Sequence, residues 1–180
     1  MYQSVWNIPH MEKILIGRDT INARIRQLGD QISADFLKKY GPNEMPPVFV
    51  CVLNGAFHFF SELTRSMHID CQVDFIRLKS YNGQDNSDGV SVIKGLELEL
   101  KGRHVYIVDD ILDSGNTMME ALRMIADKMP ASVNIVTMLS RAKNKFQPNY
   151  YAFEIGDEWV IGFGLDDNGL KRNLQNICVI

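Results

Sequence analysis

The sequence predicts an α/β fold in which one twisted, mostly parallel sheet is flanked by helices on both faces. Continuous apolar runs such as Val48–Leu53 are typical of strands buried on both faces of a parallel sheet. Between these runs lie segments whose apolar residues recur at steps of three and four, as on one face of a helix. One buried strand, Val105–Val108, runs directly into acidic residues and a small-residue turn. Open α/β sheets bind their ligands at such strand ends.

Length and composition indicate one catalytic-sized domain over residues 1–180, because 180 residues with 46% hydrophobic content can bury one substantial core. The net charge of −3 offers no broad cationic surface, so nucleic acid is not an expected partner. The first 18 residues contain no continuous apolar core of a signal peptide. The longest apolar run is far shorter than the roughly 20 residues of a membrane span, so no membrane association is expected. The widely spaced Cys51, Cys71 and Cys178 predict neither a disulfide framework nor a zinc site, which favours a reducing cytoplasm.

The first half of the chain predicts two helices and two strands. An amphipathic helix capped by Asp19 ends before Gly41. The strand Val48–Leu53 follows, and Asn54-Gly55 marks a tight turn after it. A second helical pattern begins at Phe57, and a second strand is predicted at Val73–Leu78.

The second half predicts a βαβ unit, with strand Val105–Val108, helix Thr117–Lys128 and strand Val133–Leu139. Two other segments interrupt the regular alternation. Ser80–Gly89 has little to bury and is interpreted as a mobile loop, a lid over a site. Leu96–Leu100 alternates leucine with glutamate and predicts a strand with one wet face in a small antiparallel flap.

Three carboxylates and a phosphate-type turn follow the strand Val105–Val108. Asp109, Asp110 and Asp113 come at the predicted strand end, and Ser114–Thr117 opens the next helix. The first N–H groups of a helix and the positive end of its dipole can hold a phosphate. The segment therefore suits a ligand with a diol or metal-bound end and a phosphate end.

Other interpretations account for less of this segment. A helix cap beside an ordinary solvated strand end would explain each acid singly, but it does not account for all three beside an anion-binding turn. A receiver domain carries its acidic pair near the start of the chain, and haloacid-dehalogenase-type phosphatases need Asp-x-Asp after the strand. The sequence also has no GxxxxGK[ST] phosphate loop and no GxSxG nucleophile elbow.

Val105–Thr117 resembles the phosphoribosyl pyrophosphate-binding signature of type I phosphoribosyltransferases, in the form found in bacterial hypoxanthine phosphoribosyltransferases. Val50–Phe57 is similar to the pyrophosphate loop of that family, Ser80-Tyr81 to the start of its mobile loop, and Phe153–Arg172 to its purine and second-metal segment. The resemblance covers nearly all of Val48–Ile180 in the family's order. It implies the type I phosphoribosyltransferase fold, with a small hood built from the N- and C-terminal segments over the carboxyl end of the sheet.

The resemblance also implies an activity, the transfer of a phosphoribosyl group to a 6-oxopurine, and a role for each matched residue. Asp109 and Asp110 would bind the ribose hydroxyls and Mg²⁺, with Asp166 at a second Mg²⁺. Asp113 would be the general base at the purine N7. The 5′-phosphate would be bound by Asp113, Ser114, Gly115, Asn116 and Thr117, and the pyrophosphate by Leu53, Asn54, Gly55 and Arg172. The family often has a cis peptide in the pyrophosphate loop, which makes the Leu53–Asn54 bond a candidate.

For the purine, the resemblance implies contacts from Ile111, Arg141, Trp159 and Val160. Trp159 would stack on the base, and Arg141 stands where the family usually has a lysine that donates to the purine O6. Lys143 and Lys145 are alternatives for that contact. A second departure is Asn54, where many relatives carry a lysine or arginine.

The function expected from the resemblance is purine salvage, with phosphoribosyl pyrophosphate and hypoxanthine, and also guanine, as substrates. A preference for guanine or xanthine is one alternative. A second is a regulator of the same fold that senses nucleotides or phosphoribosyl pyrophosphate without catalysis. Asp113, Asp166 and the Ser80–Gly89 segment argue for catalysis, and a homodimer or homotetramer is expected.

Overall fold

A computed structural model describes residues 12–81, 89–141, 143 and 147–180. Nine strands and three helices lie in these ranges. The strands are β1 Lys13–Ile16, β2 Val48–Leu53, β3 Gln72–Tyr81, β4 Gly89–Lys94, β5 His104–Leu112, β6 Ser132–Arg141, β7 Tyr150–Ile155, β8 Val160–Ile161 and β9 Ile177–Val179. The helices are α1 Arg18–Tyr40, α2 Phe57–Arg65 and α3 Asn116–Ala126.

Six strands form the main sheet in the order β4-β3-β2-β5-β6-β7. Only the edge pair β3–β4 is antiparallel, and the other four pairs are parallel. One apolar cluster lies between the sheet and α1 and α2, and a second lies beneath α3. The predicted α/β class with a mostly parallel, helix-flanked sheet is confirmed.

The central strands β2 and β5 are neighbours in parallel register, with Val48 opposite Val105 and Cys51 opposite Val108. Their apolar side chains are buried on both faces of the sheet, as the uninterrupted apolar runs predict. Because the strands are parallel and adjacent, the residues that follow them emerge at the same edge.

The strand β5 is longer than predicted. The sequence places its end at Val108, but pairing with β6 continues through Asp109 opposite Thr137 to Leu112 opposite Ser140. The predicted end is wrong because backbone pairing with β6 outlasts the apolar run. Both acids of the Asp109-Asp110 pair are therefore held on a strand.

The helix α1 packs its apolar stripe, including Ile21, Leu28 and Phe36, into the core. Its N-cap is Gly17, without a side-chain hydrogen bond, so the prediction that Asp19 caps the helix is wrong. The helix begins at Arg18, two residues earlier than a cap at Asp19 predicts, and Asp19 lies in its first turn, where the helix dipole favours an acid.

The segment Leu96–Leu100 is not a strand, so the prediction of an antiparallel flap there is wrong. The buried carboxylate of Asp74 accepts the N–H groups of Glu97 and Leu98 at 2.8 and 2.9 Å. These N–H groups are then not free for a strand partner. The antiparallel partner of β3 is instead β4, and residues 82–88 between them lie outside the described residues.

A second sheet has three antiparallel strands in the order β1-β9-β8. It joins the first described strand to the last, with Ile14 opposite Cys178. The segment between β8 and β9 contains Gly164, whose added Cβ would lie 2.0 Å from the carbonyl oxygen of Gly55. The chain that leads to this small sheet therefore touches the turn after β2.

No helix in the part of the chain that the structure describes is long and apolar enough to cross a lipid bilayer.

Replacement of Asp74 by alanine should destabilise the fold. The carboxylate also accepts the N–H of Phe75 at 2.7 Å, so its loss leaves three backbone donors without that acceptor. We expect Asp74→Ala to lower the free energy of unfolding by about 2–4 kcal/mol in urea denaturation. The exposed Asp70, replaced in the same way, should change it by less than about 0.5 kcal/mol. Equal stability of the two variants would contradict this role for Asp74.

The buried His104 should make stability depend on pH. Its ring stacks on Tyr40 at 3.7 Å and contacts the Ser132 hydroxyl at 2.8 Å through Nδ1. Burial lowers the pKa of His104, as does Lys39, while Glu44 opposes the shift. The unfolded chain therefore binds a proton first as the pH falls below about 6.5, and stability contributed by neutral His104 is full above that pH and declines below it.

The pH dependence of the parent protein is compared with that of His104→Phe, a variant that keeps an aromatic ring against Tyr40. Urea unfolding at pH 7.5 and pH 5.5 should show a smaller acid loss in the variant than in the parent protein, by less than about 1.4 kcal/mol per pH unit. An identical pH dependence in both proteins would remove His104 as its cause.

Candidate active site

A cavity of about 330 Å³ opens at the carboxyl ends of β2 and β5. Its walls bring together the turn after β2, the end of β5, the turn before α3 and the segment after β8. The lining residues predicted from the sequence are Leu53, Gly55, Asp109, Asp110, Ile111, Asp113, Ser114, Gly115, Thr117, Asp166 and Arg172. Three separate stretches of the chain, residues 53–55, 109–117 and 166–172, therefore contribute to one concave site.

Asp109 and Asp110 form an adjacent pair of acids in the lining of this cavity. Burial raises the pKa of both carboxyl groups, and for Asp109 the neighbouring Asp110 charge raises it further. The oxygens make local backbone hydrogen bonds, from Asp110 N to Asp109 Oδ1 at 2.9 Å and from Ile111 N to Asp110 Oδ1 at 2.7 Å. Burial and these two acids also raise the pKa of Cys51, on the neighbouring strand, to about 12. A bound cation or hydroxyl donors would stabilise such a pair.

The turn after β2 lies directly against Asp110. A Cβ added to Gly55 would meet Asp110 Oδ2 at 1.5 Å, so only glycine fits there. The preceding Leu53–Asn54 peptide bond is cis. The backbone of this turn therefore approaches the acid pair more closely than any residue with a side chain would allow.

The turn Ser114–Thr117 leads into α3 as the sequence predicts, although the helix begins at Asn116, one residue earlier than predicted. Gly115 is its N-cap with a left-handed φ of 84°, and no side chain caps the helix. The first N–H groups of a helix have no partner within it, and this end of α3 faces the cavity through Gly115 and Thr117. The geometry suits an anion.

Asp166 and Arg172 form an ion pair on the opposite wall, with Arg172 Nη2 2.6 Å from Asp166 Oδ1. The other oxygen of Asp166 accepts the N–H of Gly169 at 2.7 Å, and Arg172 Nη1 donates to the Gly164 carbonyl at 2.6 Å. Both oxygens of Asp166 thus have protein partners in this state.

Arg141, the last residue of β6, contacts three groups. Its Nε donates to Asp113 Oδ1 at 2.7 Å, its Nη2 donates to the carbonyl of Glu158 at 3.2 Å, and its Nη1 donates to the carbonyl of Gly156. Lys143 pairs with Asp157, and Lys145 lies outside the described residues. The structure therefore places Arg141 beside Asp113, which the sequence alone did not indicate.

The remaining predicted purine residues lie on the segment that continues from Glu158. Trp159 is 64% exposed, and its carbonyl accepts the N–H of Ile180 at 3.2 Å, while Val160 is buried at the start of β8. Ser80 and Tyr81 end β3, and the predicted mobile loop otherwise falls on residues 82–88, outside the described residues.

Several residues that shape the site were not predicted from the sequence. Val52, Leu78, Leu112 and Met118 also line the main cavity. Arg77 lies opposite Leu53 in the β2–β3 register and lines a neighbouring cavity of about 440 Å³ with Asn54 and Arg172. Its position near the end of a strand next to β2 was the available signal, but the strand order was needed to use it.

The acids of the cavity could hold a metal ion only together with other ligands. Within the described ranges, no three His, Cys, Asp or Glu side chains are grouped so that they could hold a metal ion by themselves. Mg²⁺, however, is commonly held by one or two carboxylates together with substrate phosphates and water. The buried Asp109-Asp110 pair, with its raised pKa values, fits such a partial site.

Comparison with known proteins gives a consistent result. Residues 18–168 match the family model described as the phosphoribosyl transferase domain. The hypoxanthine-guanine phosphoribosyltransferase of Streptococcus pneumoniae is 33% identical over 174 residues, covering 94% of this chain and 93% of that protein. The hypoxanthine-guanine-xanthine phosphoribosyltransferase of Tritrichomonas foetus is 30% identical over 174 residues, covering 94% and 92%.

A solved structure of Trypanosoma cruzi hypoxanthine phosphoribosyltransferase, a mutant in complex with its product IMP, superposes with a TM-score of 0.84 at 30% identity. The alignment covers 94% of this chain and 90% of that one. Sequence, fold and cavity agree, and the chain belongs to the phosphoribosyltransferase family.

Proposed function

We propose that the protein is a purine-salvage enzyme that transfers the 5-phosphoribosyl group of phosphoribosyl pyrophosphate to N9 of hypoxanthine and of guanine. The products are IMP or GMP, together with pyrophosphate. The observation that carries the proposal is one cavity that joins a buried acid pair, a glycine turn, a helix N-terminus and Asp113. Relatives that are named for hypoxanthine and guanine support the choice of substrate.

Asp109 and Asp110 are proposed to hold the ribose of the donor. Their oxygens can accept hydrogen bonds from the 2′- and 3′-hydroxyls and can share Mg²⁺ with the pyrophosphate oxygens. When bound, Mg²⁺ supplies positive charge that stabilises the departing pyrophosphate. Because the two acids lie on a strand, with Asp109 buried and Asp110 half-buried, they fix the sugar relative to the sheet.

The two ends of the donor have separate anion sites in this proposal. Asp113 and Ser114–Thr117, with the N-terminus of α3, surround the 5′-phosphate, where N–H groups can donate to its oxygens. The backbone of Leu53, Asn54 and Gly55 faces the pyrophosphate, and the Arg172 guanidinium lines the same cavity. If Asp166 serves a second Mg²⁺, its pairing with Arg172 must loosen, which frees Arg172 for the pyrophosphate.

The purine is proposed to lie between Ile111 and Trp159, beside the backbone of Val160. As N9 forms its bond to C1′ of the ribose, the bond from C1′ to the pyrophosphate oxygen breaks, and Asp113 takes the proton from N7. Arg141 lies at the O6 side of this arrangement. A donor there favours a 6-oxopurine over adenine, whose 6-amino group is itself a donor.

The assembly and setting of the enzyme complete the proposal. The small sheet β1-β9-β8 serves as the hood, within a single domain of residues 1–180. We propose a cytoplasmic homodimer or homotetramer that needs no nucleic acid or membrane partner. In the hypoxanthine phosphoribosyltransferase of Trypanosoma cruzi, the C-terminal region has a role in the oligomeric state and the enzymatic activity.

One alternative concerns the base. The Tritrichomonas foetus relative is named for xanthine as well, so a xanthine or guanine preference remains the competing specificity. Assays with hypoxanthine, guanine, xanthine and adenine, each with Mg²⁺ and phosphoribosyl pyrophosphate, separate these choices. Binding of the donor without turnover of any base would favour the sensing regulator instead.

Replacement of Asp113 by asparagine should remove the proton acceptor and keep the shape of the side chain. We expect kcat for hypoxanthine to fall about 10²–10⁴-fold, with a smaller change in KM for the donor. Asp127, at the other end of α3, is the matched control, and Asp127→Asn should keep parental kcat. Nucleotide formation followed by chromatography measures both, and parental kcat in Asp113→Asn would reject Asp113 as the base.

Replacement of Gly55 by alanine should disturb the donor site, because the added Cβ would lie 1.5 Å from the Asp110 carboxylate. We expect kcat/KM for phosphoribosyl pyrophosphate to fall about 100-fold. Gly95→Ala is the control, since its Cβ would meet nothing within 4 Å. Calorimetric titration of the donor with Mg²⁺ measures binding directly, and unchanged affinity in Gly55→Ala would show that the turn does not contribute to this site.

A further inference from the structure

Arg141 occupies a central position among three strands that carry the proposed purine site. It ends β6, which lies between β5 and β7 in the main sheet. The chain after β5 continues to Asp113, and the chain after β7 continues to Gly156 and Glu158. A long side chain at the end of the middle strand can therefore reach both neighbours.

The contacts of Arg141 use this position. Its Nε donates to Asp113 on one side, and its two terminal nitrogens donate to the carbonyls of Gly156 and Glu158 on the other. The Arg141 side chain is only 15% exposed, so its charge is largely removed from water and is balanced by the Asp113 carboxylate. The planar guanidinium holds these three acceptors in a fixed relative arrangement.

Lysine could not reproduce this arrangement. Its single nitrogen carries three donors on a flexible stem and cannot span acceptors on two sides of the strand in a fixed geometry. Arginine has five N–H donors, of which three are used in these contacts, and the two that remain belong to the terminal nitrogens. Arg141 can thus support the site and still present donors to a base.

We infer that Arg141 is a positioning residue that ties Asp113 to the segment Gly156–Glu158 before the base binds. The proton acceptor and the adjoining Trp159 then form one preassembled wall of the purine site. This inference rests on the proposed function for its catalytic consequence, but the tie itself is a property of the substrate-free protein.

The test uses Trp159 as a reporter of this wall. The chain has two tryptophans, Trp6 and Trp159, so Trp6→Phe leaves Trp159 as the single fluorophore. In that background, acrylamide quenching without substrate is compared for Arg141→Met, Arg141→Lys and Lys143→Met. Lys143 is the matched control because it pairs with Asp157 of the same segment but is 78% exposed.

We expect Arg141→Met to change the quenching constant of substrate-free Trp159 by about 1.5-fold or more, with a smaller change in Arg141→Lys, because freed side chains and backbone sample more conformations. Arg141→Met should lower kcat/KM for hypoxanthine about 10–100-fold with less than about a twofold change in KM for phosphoribosyl pyrophosphate. Lys143→Met should keep the parental quenching constant of Trp159. Far-UV circular dichroism verifies folding, and Arg141→Lys decides the test if Arg141→Met does not fold.

Three results would overturn the inference. Unchanged quenching of Trp159 with a raised KM for hypoxanthine would make Arg141 a purine contact only. Changed quenching with parental kinetics would show that the contacts of Arg141 order this wall without any effect on the reaction. If the Arg141 and Lys143 variants changed the quenching of Trp159 equally, the change would result from the loss of a positive charge in general and not from the contacts of Arg141. If the parent enzyme converts no base at all, the proposed function fails, and the quenching comparison still decides whether Arg141 makes the tie.

Discussion

The parallel pairing of β2 with β5 is the constraint on which the rest of the site depends. It brings the turn after β2 to the same edge as the end of β5, so that Gly55 lies against Asp110 without room for a side chain. Gly164, from the segment that leads to the small sheet, then packs on the carbonyl of Gly55. Two strands, one turn and the second sheet are therefore fixed relative to one another by backbone contacts. A site built on such contacts holds its ligand groups with less freedom than one built on loops alone.

The acids in this cavity are arranged in two different ways. Asp109 is buried and Asp110 is half-buried beside it, and the loss of water raises the pKa of both, so this pair is suited to a cationic or hydroxyl-bearing ligand. Asp166 is paired with Arg172, and Asp113 with Arg141. Within the described residues, the acid pair at the proposed sugar position forms no ion pair, although the Arg172 charge opposes the rise in the pKa of Asp110. Arginines pair with the other two acids. Binding of a donor that carries phosphates and Mg²⁺ would break these ion pairs, and the freed side chains would contact the charged groups of the donor.

Asn54 and Arg141, the two departures from the family pattern, both affect where positive charge lies around the cavity. Asn54 lacks the positive charge that many relatives carry, yet Arg77 lies opposite Leu53 and borders the same neighbouring cavity. Arg141 stands where the resemblance to the family implies a lysine, and its planar group contacts three acceptors on two sides of β6. Both substitutions alter the distribution of cationic groups around the cavity while the backbone framework stays the same. Function in this family can therefore be adjusted at side chains that the shared fold brings to one edge of the sheet.

The sequence by itself determined the α/β class, the strand Val48–Leu53, the acid-rich segment after Val105–Val108 and the phosphate-type turn, because apolar periodicity and local turn chemistry are encoded in neighbouring residues. It placed the end of β5 too early and interpreted Leu96–Leu100 as a strand. The extent of a strand depends on its partner, and here the Asp74 carboxylate competes for the N–H groups of Glu97 and Leu98. Only the tertiary structure decided that Gly55 touches Asp110, that Arg172 pairs with Asp166 and that Arg141 joins Asp113 to Gly156 and Glu158. The first and third of these contacts join residues on or after different strands of the main sheet, and strand order and register, which no local pattern specifies, bring them together. Asp166 and Arg172 lie in one segment between β8 and β9, and the path of that segment brings them within hydrogen-bonding distance.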